Sequence, residues 1–295
     1  MSSHPALQAP ADPGRLPTTL PQLIEKKRLG EPIVMITAYD YPSARAAEAA
    51  GVDLVLVGDS AATTMLGYSA TTPVELDDML VLARAARRGL STPLLIGDLP
   101  FGSYEVSDEQ AITTALRMVK EAGCEAVKLE GGGAASVSRA RAIVGAGIAV
   151  MGHVGLTPQT STVLGGWKAQ GRTAAAAARI AQEALALQEA GVFALVFEAI
   201  PSAVTDELMP LLDVPVIGIG AGPATDGQVL VFHDLLGIRD GLGPRFVKRY
   251  ANIQQEMNDG VAAFADDVRR RRYPGPEHSY SIGPEELAQL RTLLG

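Results

Sequence analysis

The stretch "LVLVGDS" (residues 54–60) is a run of four apolar residues that ends in a Gly-Asp pair at Asp59. The stretch "LLIGDLP" (residues 94–100) has the same design, and its Gly-Asp pair ends at Asp98. A carboxylate at the end of an apolar run is costly to bury unless it is paired or bound to a cation. The two stretches therefore predict two buried strands that each bring one carboxylate to a shared site.

Short apolar runs of this kind recur along the chain, and Ala- and Leu-rich helical patterns separate most of them. Continuous apolar strands that alternate with helices are typical of a parallel sheet covered on both faces. Eight such units predict an α/β fold of the closed (β/α)8 type, a TIM barrel, and a doubly wound open sheet is the alternative. The predicted strands are 32–40, 54–60, 93–101, 126–132, 148–156, 194–201, 215–222 and 228–237.

The domain organisation follows from the same pattern. Residues 19–280 are predicted to form one barrel domain, because no linker or shift in composition divides residues 20–260. Residues 1–18 are rich in Pro, Ala and Ser without periodicity, which predicts a disordered N-terminal tail. Residues 281–295 form a short amphipathic pattern, which predicts a C-terminal helical extension.

The composition excludes several classes of function. The chain has 295 residues, 47% of them hydrophobic, and a net charge of -8, which indicates a globular protein and argues against nucleic acid as a partner. Cys124 is the only cysteine, so a Cys-rich zinc site and an intrachain disulfide are excluded. We find no signal-peptide pattern and no apolar stretch long enough for a bilayer, so we expect a cytoplasmic location and no membrane partner.

Functional side chains follow seven of the eight runs. The carboxyl ends of barrel strands meet on one face, where the active sites of this fold lie. For any one residue the simpler explanation is that the strand leaves the core there. Several carboxylates at equivalent strand ends, however, repel one another unless a cation offsets their charge. The strand-end residues are Asp40, Asp59, Asp98, Glu130, His153, Glu198 and His233.

A divalent cation is the predicted solution. Asp59, Asp98 and Glu130 offer only oxygen ligands, which favours Mg²⁺ over zinc, and such an ion can polarise a substrate carbonyl. Lys128 lies two residues before Glu130 and so shares its strand face. Lys128 is therefore a structural ion-pair partner, an anchor for a substrate carboxylate, or a Schiff-base nucleophile.

Two further residues are candidates for proton transfer. Glu198 ends a buried strand, an environment that raises a carboxyl pKa and suits a general base, although a paired structural glutamate is the alternative. His153 is either a hydrogen-bond donor to an oxyanion or carboxylate, or a histidine at the edge of the core. The glycine-rich segments 130–133 and 164–171 are predicted loops suited to covering a site.

Ten sequence blocks in order, spanning about residues 20–280, resemble the ketopantoate hydroxymethyltransferase family. Any one block is weak, but ten in order are highly specific. They are "MITAYDY" (35–41), "LVGDS" (56–60), "DLPFGSY" (98–104), "VKLEGG" (127–132), "GHVGLTPQ" (152–159), "LGGWKAQGR" (164–172), "PVIGIGAG" (215–222), "DGQVLVFHDLLG" (226–237), "PRFVKRY" (244–250) and "YPGPEHSY" (273–280).

The resemblance implies a barrel of the phosphoenolpyruvate mutase and isocitrate lyase type, and a homodecamer. It implies Mg²⁺-dependent transfer of a one-carbon unit from the co-substrate 5,10-methylenetetrahydrofolate to 3-methyl-2-oxobutanoate, which gives 2-dehydropantoate for pantothenate biosynthesis. It also assigns site residues. The implied metal ligands are Asp59, Asp98 and Glu130, the substrate contacts are Asp59, Ser60, Asp98, Lys128 and His153, and the base is Glu198.

Three alternatives stay open at this point. The chain is alternatively a lyase or mutase of the same superfamily, a Schiff-base aldolase that acts through Lys128, or a barrel with no catalytic role. A non-enzymatic barrel predicts eroded ligands, whereas all the proposed ligands and the base are present.

Overall fold

The computed structural model describes residues 14–239, 241 and 243–295 of the chain. Within these residues, eight parallel strands form a closed barrel in which each strand pairs with the next and β1 pairs with β8. The strands are β1 (Ile33–Thr37), β2 (Leu54–Val57), β3 (Leu94–Asp98), β4 (Ala126–Lys128), β5 (Ala149–Gly155), β6 (Ala194–Glu198), β7 (Val216–Ile219) and β8 (Gly227–Leu230).

The closure of the sheet confirms the predicted TIM barrel. Strand β1 runs beside β8 in parallel register from the pair Ile33 and Gly227 to the pair Ile36 and Leu230. The alternative of a doubly wound open sheet is therefore wrong, because such a sheet has two unpaired edges.

Helices alternate with the strands and surround the barrel. The Ala- and Leu-rich patterns that separate the strands in the sequence are helices in the structure. The helices are α1 (Leu20–Leu29), α2 (Tyr41–Ala50), α3 (Ala61–Thr64), α4 (Leu76–Arg87), α5 (Asp108–Ala122), α6 (Ala134–Gly145), α7 (Ala174–Glu189), α8 (Ser202–Leu208), α9 (Phe232–Leu236), α10 (Ile253–Arg269) and α11 (Pro284–Leu294).

The barrel interior changes from apolar to charged along the strands. Apolar side chains of every strand fill its lower part together with Leu23 of α1. Successive strand residues point to opposite faces, so the inward series in β3 runs from Leu94 through Ile96 to Asp98. The neighbouring strand places Lys128 directly opposite Asp98 in register. The site is therefore a charged layer on top of an apolar core.

The last predicted strand is shorter than expected. The run 228–237 is a strand only as far as Leu230, and residues Phe232–Leu236 form α9. The backbone N–H of Phe232 donates to Thr37 Oγ1 at 2.9 Å, and Gly237 ends the helix in the left-handed region at φ 65°. A short apolar run does not distinguish a buried strand from a buried helix, which explains the error.

The two ends of the chain lie differently against the barrel. The predicted tail over 1–18 falls outside the described residues as far as residue 13, whereas the backbone N–H of Thr18 donates to Thr92 O at 2.8 Å. At the other end, neither α10 nor α11, the latter within the predicted 281–295 extension, has a buried residue. Across the described ranges, we find no helix with the length and apolar character needed to cross a bilayer.

Candidate active site

An ion pair between neighbouring strands lies at the centre of the charged layer. Lys128 Nζ is 2.7 Å from Asp98 Oδ1 and 3.8 Å from Glu130 Oε1. All three side chains are at most 4% exposed. Burial lowers the pKa of Lys128, but the charges of Asp98, Glu130 and Asp59 raise it by more, so its ammonium group stays protonated.

Asp59 joins this pair from the loop after β2. Its backbone N–H donates to Asp98 Oδ2 at 3.1 Å, which holds the ends of β2 and β3 together. Burial, followed by the charges of Asp98 and Glu130, raises the pKa of the Asp59 carboxyl well above its ordinary value. A cation between these carboxylates would favour their charged forms, so the Asp59 and Asp98 oxygens fit a hard divalent ion.

His153 bridges two carboxylates on the other side of the layer. Its Nδ1 lies 3.4 Å from Glu130 Oε1 and its Nε2 lies 3.3 Å from Glu198 Oε2, at ion-pair distance rather than in well-directed hydrogen bonds. Burial and Lys128 lower the pKa of His153, but contact with Glu130 and Glu198 raises it to about 9. At neutral pH the ring is therefore a cation that holds both carboxylates.

The charges of the layer do not balance. If all four carboxyls are ionised, Asp59, Asp98, Glu130 and Glu198 supply four negative charges, whereas Lys128 and protonated His153 supply two positive charges. The raised pKa of Asp59 reflects its burial and the repulsion in this arrangement, and one divalent cation would offset the excess. Glu130 is already engaged on both oxygens, since Oε2 accepts from the Gln159 N–H at 3.0 Å.

The described residues contain no group of three or more His, Cys, Asp or Glu side chains arranged to hold a metal. Asp59 and Asp98 are the candidates for direct oxygen donors, because both oxygens of Glu130 already have partners. Mg²⁺ is commonly held by one or two carboxylates, with water and substrate oxygens in the remaining positions, so a two-carboxylate site is compatible with it.

The backbone after β6 positions Glu198. Gly155 of β5 lies opposite Glu198 in the strand register, and the Leu156 N–H donates to Glu198 O at 2.8 Å. Ala199 then turns the chain with a positive φ of 49°, an uncommon conformation for alanine that its N–H bond to Ile219 O at 2.9 Å helps to hold. The base candidate is therefore fixed by its neighbours on both sides.

A polar pair flanks Asp59 on the side of β1. Ser60 Oγ and Tyr39 Oη are 2.8 Å apart. Burial raises the pKa of Tyr39 to about 12, so its hydroxyl stays protonated. Ser60 thus has a fixed hydrogen-bond partner next to Asp59.

One cavity of about 1380 Å³ opens above the charged layer. It brings together every residue that the sequence analysis assigned to the site: Asp59, Ser60, Asp98, Lys128, Glu130, His153 and Glu198. His233 also lines it, from α9 rather than from a strand end. Asp40, by contrast, caps α2 by accepting from the Ser43 N–H at 2.8 Å, which is the simpler role for a strand-end residue.

The rim of this cavity is basic and aromatic. Trp167, Lys168 and Arg172 line it from the loop before α7. Arg245 and Phe246 line it from the segment after α9. The rim is therefore suited to a flat ligand that carries negative charge.

Two buried residues next to the site are not identified by the strand-end pattern. Gln159 and Tyr104 connect to Asp59 and Glu130 through hydrogen bonds. Neither residue follows an apolar run directly. The only available signal was that both lie inside blocks of the family resemblance, at the end of "GHVGLTPQ" and of "DLPFGSY".

Comparisons with known proteins show which family and relatives the chain resembles. Residues 17–276 match a family model described as ketopantoate hydroxymethyltransferase. The chain is 50% identical over 282 residues to the mitochondrial 3-methyl-2-oxobutanoate hydroxymethyltransferase 1 of Arabidopsis thaliana, covering 94% of this chain and 81% of the relative. It is 51% identical over 262 residues to the 3-methyl-2-oxobutanoate hydroxymethyltransferase of Moorella thermoacetica, covering 89% and 97%.

The fold itself is shared with more distant proteins. A phosphonopyruvate hydrolase structure aligns with a TM-score of 0.58 at 14% identity, covering 94% of this chain and 96% of that chain. A 2,3-dimethylmalate lyase, a member of the PEP mutase/isocitrate lyase superfamily, aligns with a TM-score of 0.53 at 18% identity, covering 94% and 95%. These likenesses confirm the predicted barrel type.

Proposed function

The chain belongs to the ketopantoate hydroxymethyltransferase family, and from this premise we propose that it is an enzyme that transfers a hydroxymethyl group to 3-methyl-2-oxobutanoate. The product is 2-dehydropantoate, an intermediate of pantothenate biosynthesis. The strongest support within the structure is that four functional side chains line one cavity. They are two carboxylates suited to bind a metal ion, a buried lysine and a glutamate suited to proton transfer: Asp59, Asp98, Lys128 and Glu198.

Asp59 and Asp98 would hold Mg²⁺ directly, and Glu130 would act on it through water, since its own oxygens already contact Gln159 and His153. The bound ion supplies Lewis-acid polarisation of the 2-oxo group and so makes the C3 proton more acidic. Lys128 and Ser60 bind and orient the oxoacid. Lys128 also offsets the charge of its carboxylate.

Glu198 removes the C3 proton. Its contact with His153 keeps its carboxylate directed into the cavity, and the turn at Ala199 fixes the backbone behind it. The electron pair left on C3 then forms the new carbon–carbon bond to the methylene carbon, whose two bonds to folate nitrogens break. Water supplies the hydroxyl oxygen, and tetrahydrofolate leaves with the C3 proton and one proton of water on its nitrogens. His153 contacts Glu198, and its protonated ring stabilises the negative charge of the Glu198 carboxylate before that carboxylate accepts the C3 proton.

The co-substrate would be 5,10-methylenetetrahydrofolate. A five-carbon oxoacid fills only a small part of the 1380 Å³ cavity, which leaves room for a second and much larger ligand. Trp167 and Phe246 offer aromatic faces for a flat pterin ring. Lys168, Arg172 and Arg245 at the rim offer charge for its glutamate carboxylates.

A Schiff-base mechanism at Lys128 is disfavoured. A nucleophilic lysine needs a lowered pKa, so that a neutral amine is present at neutral pH. The carboxylates around Lys128 do the opposite and hold its ammonium charged. A lyase or mutase activity is the second candidate, because phosphonopyruvate hydrolase and 2,3-dimethylmalate lyase share the barrel, but their identity of 14% and 18% supports the fold alone.

The protein would act as a homo-oligomer, a homodecamer by analogy with its family. Helix α10 supports an assembly, since Met257, Val261, Phe264 and Val268 form one apolar stripe that is 45–70% exposed. Light scattering of the purified protein measures the number of copies. A cytoplasmic location is a prediction for this chain, while the Arabidopsis relative is named as mitochondrial.

Hydrogen exchange at C3 tests the base and the metal together. We expect Mg²⁺-dependent exchange of the C3 proton of 3-methyl-2-oxobutanoate in D₂O, without folate, and formation of 2-dehydropantoate when methylenetetrahydrofolate is added. Glu198→Gln should slow exchange by about 10²–10⁴-fold. Glu189→Gln on the exposed face of α7 is the control that keeps the wild-type rate. Full exchange in Glu198→Gln would exclude it as the base, and full activity with EDTA would exclude the metal.

A further inference from the structure

Gln159 connects the loop after β5 to the ends of three other strands. It lies in the short 3₁₀ turn Pro158–Thr160 and is only 5% exposed. Its side-chain Nε2 donates to Asp59 Oδ2 and to Leu99 O, each at 3.0 Å. Its backbone N–H donates to Glu130 Oε2 at 3.0 Å. Gln159 therefore contacts Asp59, which would bind the metal directly, Glu130, which would act on it through water, and the loop after Asp98.

The orientation of the Gln159 amide is fixed by its partners. Nε2 faces two acceptors, and Oε1 accepts from the Tyr104 hydroxyl at 2.5 Å. Tyr104 Oη in turn accepts from the Glu130 N–H at 3.2 Å. A flipped amide would direct its oxygen at the Asp59 carboxylate and at the Leu99 carbonyl, so only the observed orientation satisfies every group.

A neutral amide is suited to this position among carboxylates. A donor is needed to hold Asp59 in place, but a second cationic donor would reduce the negative charge that attracts a metal ion. A carboxylate at this position would be repelled by both Asp59 and Glu130. The amide supplies a hydrogen bond without changing the net charge of the site.

We propose that Gln159 is a positioning residue that holds the Asp59 carboxylate in its metal-binding orientation, with Tyr104 fixing the Gln159 amide in turn. This rests on the proposed function, in which Asp59 and Asp98 bind Mg²⁺. Groups that orient a metal ligand in this way set metal affinity, and their loss commonly weakens it 10–100-fold. A merely structural role would lower stability and leave metal affinity unchanged.

Direct metal binding separates these two roles. The dissociation constants of Mn²⁺ and of Mg²⁺ are measured by calorimetry on the folded full chain, together with the unfolding temperature without metal. Gln159→Met keeps the side-chain length and removes the amide. Gln188→Met is the matched control, because Gln188 Oε1 accepts from the Asp213 N–H at 2.7 Å far from the cavity. Tyr104→Phe removes only the hydroxyl that orients Gln159.

We expect Gln159→Met to raise the metal dissociation constant at least tenfold and Tyr104→Phe to raise it at least threefold, with Gln188→Met at the wild-type value. A dissociation constant within twofold of wild type in folded Gln159→Met overturns the inference. If Gln159→Met does not fold, Tyr104→Phe becomes the deciding variant. A metal dissociation constant of Tyr104→Phe equal to that of the wild type then overturns the inference. If the wild-type chain binds neither ion, the proposed metal site fails, and the inference fails with it.

Discussion

The substitution Gly155→Ala should displace Glu198, the proposed base, without removing its carboxylate. Gly155 has φ 97° and lies opposite Glu198 in the strand register. A Cβ atom built there would lie 2.3 Å from Glu198 O and 2.8 Å from Ile200 Cγ1. Ordinary contact between such atoms needs about 3.5 Å, so the end of β6 must shift by about 1 Å. The Glu198 backbone carries its side chain with it, and the base moves away from the substrate.

The expected loss can be separated into two parts. The positive φ alone costs about 1–2 kcal/mol of stability for an alanine. The displacement acts on the reaction, where a misplacement of about 1 Å can reduce the rate by about 10²-fold. Gly155→Ala should therefore slow C3 hydrogen exchange by about 100-fold while the protein remains folded at the assay temperature.

Gly147 provides the matched control for backbone strain. It has φ 86°, and a Cβ built there would meet no atom within 4 Å. Gly147→Ala should therefore share the loss of stability and keep the wild-type exchange rate. The assay is deuterium incorporation at C3 of 3-methyl-2-oxobutanoate, normalised to the folded fraction measured by circular dichroism. If the two variants exchange at rates within twofold of each other, the positioning argument for Glu198 is wrong.

Three further predictions concern buried groups. Lys128→Met should destabilise the fold by about 3–5 kcal/mol in thermal denaturation, because it leaves Asp98 buried without its cation, and an effect below 1 kcal/mol would contradict this. Burial raises the pKa of Glu48, but the hydrogen bonds that its carboxylate accepts from Ser91 and Thr92 outweigh burial and lower the pKa below 4.5. The ionised carboxylate therefore stabilises the fold at pH values above 4.5, and this stabilisation is lost as the pH falls through the lowered pKa of the folded state. Urea denaturation of Glu48→Gln should show a loss of about 1.5–3 kcal/mol at pH 7 that shrinks below pH 4.5, whereas an equal loss at both values would refute the assignment. Burial raises the pKa of Cys124 to about 12, so a thiol reagent at pH 8 should modify it quickly only after denaturation, and rapid labelling of the native chain would exclude this.

The strands and their functional ends were accessible from the sequence, because burial on both faces leaves continuous apolar runs. The residue that ends each run marks the mouth of the barrel, and this rule located Asp98 and Glu198. The rule is local, however, and it placed Asp40 beside them although Asp40 caps a helix. It also extended β8 into residues that form α9, since a short apolar run fits either structure.

Contacts that depend on register were not accessible. The sequence pairs Lys128 with Glu130 on one strand face, whereas the ammonium lies closer to Asp98, at 2.7 Å against 3.8 Å. The parallel register of β3 and β4, which no local pattern encodes, places Lys128 opposite Asp98. Gln159 lies 100 residues from Asp59 in the chain, so their hydrogen bond forms only when the barrel closes.

Stability and function make opposite demands on this charged layer. A buried ion pair such as Lys128 with Asp98 can often be replaced by apolar residues without loss of stability, or with a gain of about 1–4 kcal/mol. Packing therefore does not explain why four carboxylates and two cations lie above an apolar core. Burial and the mutual repulsion of these carboxylates destabilise their charged forms in the isolated chain, as the raised pKa of Asp59 shows, and a divalent ion would relieve the repulsion. The same strands supply the rigid apolar core below the charged layer. The stability of this core offsets the electrostatic repulsion at the mouth of the barrel and keeps the charged groups in fixed positions.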